Sequence, residues 1–107
     1  MSHLRRLPWT EDGKPAYLAT DGGASFLADM ADAMEEGMLA TAEMDADRAN
    51  AIRDDASASR AELKLAVRYL SGAVADAVEV ARLRGERLGV DPEALQVGET
   101  LRRDLGA

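Results

Sequence analysis

The sequence predicts an all-α protein: an antiparallel hairpin of two long helices, with an extended N-terminal arm and a short C-terminal helix. Three observations predict it. Residues 24–55 and 59–89 both carry apolar side chains at helical spacing. A short polar link, residues 54–58, joins them, and short links favour antiparallel neighbours. Residues 1–23 differ from the rest, holding the only Trp (Trp9) and two of the three prolines. At 107 residues the chain reads as one domain.

The arm comes first. Leu7-Pro8-Trp9 and Ala16-Tyr17-Leu18 flank Glu11-Asp12-Gly13-Lys14. Asp-Gly between two extended pieces can make a hairpin turn, but Pro8 and Pro15 permit at most an irregular or edge pairing. Leu7, Trp9, Tyr17 and Leu18 are expected to lie on the helices. Trp9 and Tyr17 are also candidate partner anchors, because aromatic side chains suit interfaces.

In the helix over 24–55, Leu27, Met30, Ala31, Met34, Met38, Ala42, Ala49 and Ile52 share one face. Thr20, Asp21 and Ser25 are the candidate caps. The opposite face is acidic: Asp29, Asp32, Glu36, Glu43, Asp47 and Asp54. Such a row is a solvated surface, a surface for a basic partner, or a set of carboxylates for Mg²⁺ or Mn²⁺.

The helix over 59–89 organises the chain. Ser59-Arg60-Ala61-Glu62 is a capping box, and Gly89 suits a left-handed C′ position. Leu63, Val67, Leu70, Val74, Ala77, Ala81 and Leu88 form a heptad-like seam, with Ala66, Ala73 and Val80 in a second band beside it. Equal rise along both helices sets Met38 against Ala77 and Met34 against Ala81. The second band is then left for another subunit or the arm. Leu65 and Leu83 stand out on the polar side. Ser71-Gly72-Ala73 could mark a close helix crossing. A face this wide predicts a homodimer completing a four-helix bundle.

Residues 91–105 read as a short helix, with Asp91 as cap, Pro92 at the first helical position, and Leu95, Leu101 and Leu105 as a weak stripe.

Two charges interrupt the apolar faces. Asp45 falls in mid-stripe, near Tyr69 by the equal-rise pairing and on the same side as Arg48, and Arg84 intrudes on the other helix. Asp45, Tyr69 and Arg84 are therefore candidates for a polar core or a ligand handle.

Composition removes several chemistries. Without cysteine there is no thiol catalysis and no thiolate metal site. His3 is the only histidine, which argues against imidazole catalysis. The net charge of −7 argues against direct nucleic-acid binding. No apolar run approaches the ~18 residues of a membrane span, and the start lacks the apolar core of a secretory signal. Nucleophile elbows, phosphate loops and catalytic triads are absent.

Leu7-Pro8-Trp9, Gly13-Lys14-Pro15, Tyr17-Leu18 and Asp21-Gly22-Gly23, followed by Phe26-Leu27-Ala28-Asp29, resemble a family of small actinobacterial proteins. There an LPW…GKPxYL arm precedes two helices. The likeness runs over roughly residues 7–88 and continues through Glu62-Leu63, Asp76-Ala77, Val80-Ala81, Arg84-Gly85 and Arg87-Leu88. Members often carry a cysteine before the tyrosine, where this chain has Ala16. The resemblance implies a bacterial cytoplasmic setting and supplies no catalytic residues.

The function expected is that of a non-enzymatic interaction or regulatory accessory protein, without cofactor or metal. It would act through bundle assembly and the acidic face, with another bacterial regulatory protein as a further partner. The alternatives are a small-molecule or metal-binding bundle and an acidic nucleic-acid mimic that binds a DNA-binding protein.

Overall fold

The computed structural model describes residues 4–19, 25–89 and 92–106. Their order is β1 (Leu4–Glu11), β2 (Lys14–Ala19), α1 (Ser25–Asp54), α2 (Arg60–Leu88) and α3 (Pro92–Asp104). The proposed caps Thr20, Asp21 and Asp91 lie outside the described residues.

The all-α expectation needs correcting at the N-terminus, where β1 and β2 form a two-stranded antiparallel sheet. Asp12 and Gly13 make the turn with φ of 50° and 74°, the pair of positive values that a two-residue type I′ loop requires. The register runs Leu4↔Ala19, Arg6↔Tyr17 and Glu11↔Lys14, and shifts between Arg6 and Thr10. Pro8 falls in that shifted stretch. Both strands are edges, so each proline's missing N–H is tolerated.

One side of the sheet is apolar. Leu7 and Ala16 are buried against Ala31 of α1, with Trp9 and Leu18 packed around them. Tyr17 stays exposed, contrary to expectation. It neighbours Ala16, and successive strand residues point to opposite faces.

The two long helices form the expected antiparallel hairpin. The Ser59 hydroxyl accepts the Glu62 N–H at 3.1 Å, and the Glu62 carboxylate accepts the Ser59 N–H at 3.3 Å. Gly89 closes α2 at φ 69°. In the link, Asp55 accepts the Ser57 N–H at 2.9 Å and its hydroxyl at 2.7 Å, a local turn that reverses the chain.

The helices meet on different faces from those expected. The contact follows residues spaced by seven. On α1 these are Ala28, Glu35, Ala42 and Ala49; on α2 they are Ala66, Ala73, Val80 and Arg87. Glu35, Ala42, Ala49, Ala66, Ala73 and Val80 are all buried. The seam of Leu63, Val67, Leu70 and Val74 is exposed instead, and so are Met34, Ala77 and Ala81. The pairing of Met34 with Ala81 and Met38 with Ala77 therefore does not form the interior. Alanines let the two backbones approach closely, and large side chains on that line would hold them apart.

Leu83 is fully buried, although it sits on the polar side of α2. Glu79 and Glu86 share its face, and both are bonded by Arg6 of β1. The β-hairpin covers this side. Gly72 marks no close crossing, since a Cβ there would meet nothing within 4 Å. Among the described residues α3 packs closely against no other element, and its Val97 and Leu101 are exposed, as is Leu105 just beyond it.

Candidate functional site

The most organised polar feature joins three elements around Glu35. Glu35 is completely buried, at 0% exposure, on the contact line between Ala28 and Ala42. Arg87 grips both carboxylate oxygens, with Nη1 and Nη2 each donating at 2.8 Å. Arg84 Nε donates at 3.3 Å and Arg5 Nη2 at 3.2 Å. Arg5 is itself buried and also donates to Asp32 at 2.6 Å and to the Ala28 carbonyl at 3.4 Å. Arg84 reaches Glu36 at 2.7 Å. Three guanidinium groups thus face three carboxylates, which balances the formal charge.

Burial alone would push the Glu35 carboxyl up. The hydrogen bonds from Arg87, Arg5 and Arg84, with the charge of Arg87, outweigh it and hold the group below its usual range. Glu35 is therefore an ionised, saturated acceptor. Its oxygens are occupied by arginines, so it is poorly suited to proton transfer. Among the described residues, the one buried side-chain nitrogen or oxygen without a partner is Arg5 Nε.

Neighbouring arginines on β1 divide the work. Arg5 fastens the sheet to α1. Arg6 fastens it to α2, donating to Glu79 at 2.7 Å and to Glu86 at 2.8–3.2 Å. Glu86 is held below its usual range by Arg6.

The sequence-predicted polar trio separates. Asp45 is half-buried and lies 3.6 Å from Arg48, whose guanidinium stacks 5.7 Å from the Tyr69 ring centre. Arg84 belongs to the Glu35 group, about 15 Å farther along α1. Asp32 and Glu36 of the acidic row pair with Arg5 and Arg84 while staying exposed, whereas Asp29, Glu43 and Asp47 are exposed and make no salt bridge among the described residues. Among those residues no group of three or more His, Asp or Glu side chains is placed to hold a metal ion. No helix among them is long and apolar enough to cross a membrane.

Glu35 escaped the sequence reading because it sits at the edge between the apolar and acidic faces of α1. Two signals pointed to it: Arg84 intruding on the facing helix, and its place in the seven-residue series with Ala42 and Ala49.

The second feature is the uncovered face of α2. Leu63, Val67, Leu70 and Val74 are 46%, 62%, 43% and 60% exposed. They lie about half a turn around α2 from Leu83, so they face away from the β-hairpin. Ala77, Ala81 and Leu88 continue the stripe, also exposed. Val67, Leu70, Ser71, Val74 and Ala75 line a shallow, open depression of about 480 Å³ there.

No protein-family model, curated protein or solved structure matches the chain.

Proposed function

We propose that this is a non-enzymatic interaction protein whose working surface is the uncovered face of α2. The observation that carries the reading is the exposed run Leu63, Val67, Leu70 and Val74, a contiguous apolar surface. The Glu35 group supports it from the other side. It fixes how the two helices are rotated, and so keeps the alanine line inside and the leucine-valine stripe outside. In this reading the stripe completes a four-helix bundle with a second chain, or seats an apolar helix of another protein. Asp29, Glu43 and Asp47 form an acidic surface suited to a basic partner.

The double variant Val67→Glu/Val74→Glu tests the reading. Affinity capture by the wild-type chain should retain partners, a second copy included, that the variant loses while keeping its helical spectrum. Identical capture by both chains would overturn it. A ligand-binding bundle is the second reading, favoured by the Asp45–Arg48–Tyr69 cluster. It predicts a thermal shift with a small molecule that Tyr69→Leu abolishes.

A further inference from the structure

The uncovered stripe of α2 and the acidic row of α1 lie side by side, and we infer that together they seat one amphipathic helix of another protein, apolar on its contact face and basic along the flank that meets α1. This rests on the reading of the α2 face as the working surface.

Arg84 and Glu36 show that the two surfaces adjoin. Arg84 occupies the stripe position between Ala81 and Leu88, and its Nη2 donates to Glu36 of the acidic row at 2.7 Å. The edge of the stripe nearest α1 therefore faces that row. The helices are antiparallel, so two turns farther along both of them Glu43 comes level with Ala77, and one more turn brings Asp47 level with Val74. There α2 offers alanine and valine in place of a cation. The basic residues that follow on α1 turn elsewhere, Arg48 to Asp45 and the Tyr69 ring, and Arg53 to Asp54. Asp32 and Glu36 hold Arg5 and Arg84, whereas Glu43 and Asp47 make no salt bridge among the described residues. Cations carried by a helix on the stripe would meet Glu43 and Asp47 as Arg84 meets Glu36.

The apolar seat sets the rest of the partner's chemistry. The depression lined by Val67, Leu70 and Val74 lies level with Asp47. The stretch from Leu63 to Ala81 is about 27 Å long, which matches a helix of about 18 residues. A helix along it buries leucine-type side chains at alternating three- and four-residue spacing. Its flank toward α1 carries arginine or lysine at two positions four apart, the spacing of Glu43 and Asp47. Its other flank passes Arg60, Lys64 and Arg82 on the far border of the stripe, so it is acidic or uncharged there. The chain's own α3 suits the seat poorly, because Arg102 and Arg103 already donate to Glu99. The β-hairpin covers the Leu83 side of α2 and leaves the approach open.

Two fluorescent helical peptides of about 18 residues test this. They share one leucine face and differ on one flank, which carries two arginines or two glutamines. Fluorescence anisotropy gives their affinities for the full chain. The arginine peptide should bind about fivefold more tightly. Glu43→Gln/Asp47→Asn should abolish that preference, whereas Glu11→Gln/Asp104→Asn, an equal change of charge elsewhere, should keep it. Val67→Glu/Val74→Glu should lose both peptides, although its added negative charge would strengthen a purely electrostatic attraction. Equal affinities for the wild type, a preference that survives Glu43→Gln/Asp47→Asn, retention of the arginine peptide by Val67→Glu/Val74→Glu, or binding of neither peptide would each overturn the proposal. So would a wild-type chain that light scattering shows to be a dimer while Val67→Glu/Val74→Glu is a monomer, since a second copy would then be the occupant. The capture comparison with Val67→Glu/Val74→Glu is independent of the peptides, so it still decides whether the face is an interface at all.

Discussion

Arg87 and Glu35 meet end-on, Nη1 and Nη2 each donating at 2.8 Å to one oxygen of a wholly buried carboxylate. They occupy equivalent places on the contact line, Glu35 in series with Ala42 and Ala49, Arg87 in series with Ala73 and Val80. The pair is therefore part of the helix contact itself. It fixes the rotation of each helix, because either partner turned by one residue would point away from the other.

Glu35→Ala should lower unfolding free energy by about 3–5 kcal/mol, because Arg5, Arg84 and Arg87 lose their common acceptor where water enters poorly. Glu35→Gln keeps the shape and some acceptor capacity and should lose less. Urea titration followed by helical signal checks both.

Acid should remove the same contribution. The Glu35 carboxyl is held below its ordinary value, about 4.5. An unfolded chain takes up that proton first as pH falls. The stabilisation is complete above the unfolded value and disappears as pH drops through the folded one. The gap in melting temperature between wild type and Glu35→Gln should therefore be widest near neutrality and shrink below about pH 4.5. Glu86 follows the same sign through Arg6. A gap that widens on acidification would contradict this assignment.

The two adjacent arginines should differ. Arg5→Ala removes a buried group that anchors the sheet to α1, and should cost roughly 3 kcal/mol. Trp9 emission should shift to the red as the sheet loosens. Arg6 is more exposed, so Arg6→Ala should cost about 1 kcal/mol or less, with little change in Trp9 emission.

Gly13→Ala isolates backbone strain. A Cβ there would meet nothing within 4 Å, but φ is +74°. The loss should be about 1 kcal/mol, with packing unchanged. Chemical denaturation measures it directly.

Local chemistry was legible in the sequence. Ser59 with Glu62, Gly89, and Asp12 with Gly13 act through their neighbours in the chain, and all three are found in place. The bounds of α2 followed from the first two. The choice of contact face did not follow, because each long helix carries both an alanine line and a line of larger residues. Apolarity alone favours Leu63, Val67, Leu70 and Val74, whereas close approach favours Ala66 and Ala73. The deciding contacts, Glu35 with Arg5, Arg84 and Arg87, join residues 30 to 52 positions apart. Likewise, the β-hairpin's hold on Leu83 depends on Arg6 reaching Glu79 and Glu86.

The central claim is that Val74 points outward and is covered only on association. Val74→Cys places a single thiol there in a chain that has no other, and maleimide labelling rates report its accessibility. The account predicts rapid labelling of the free chain at nanomolar concentration. Protection there would mean that the seam faces α1 after all.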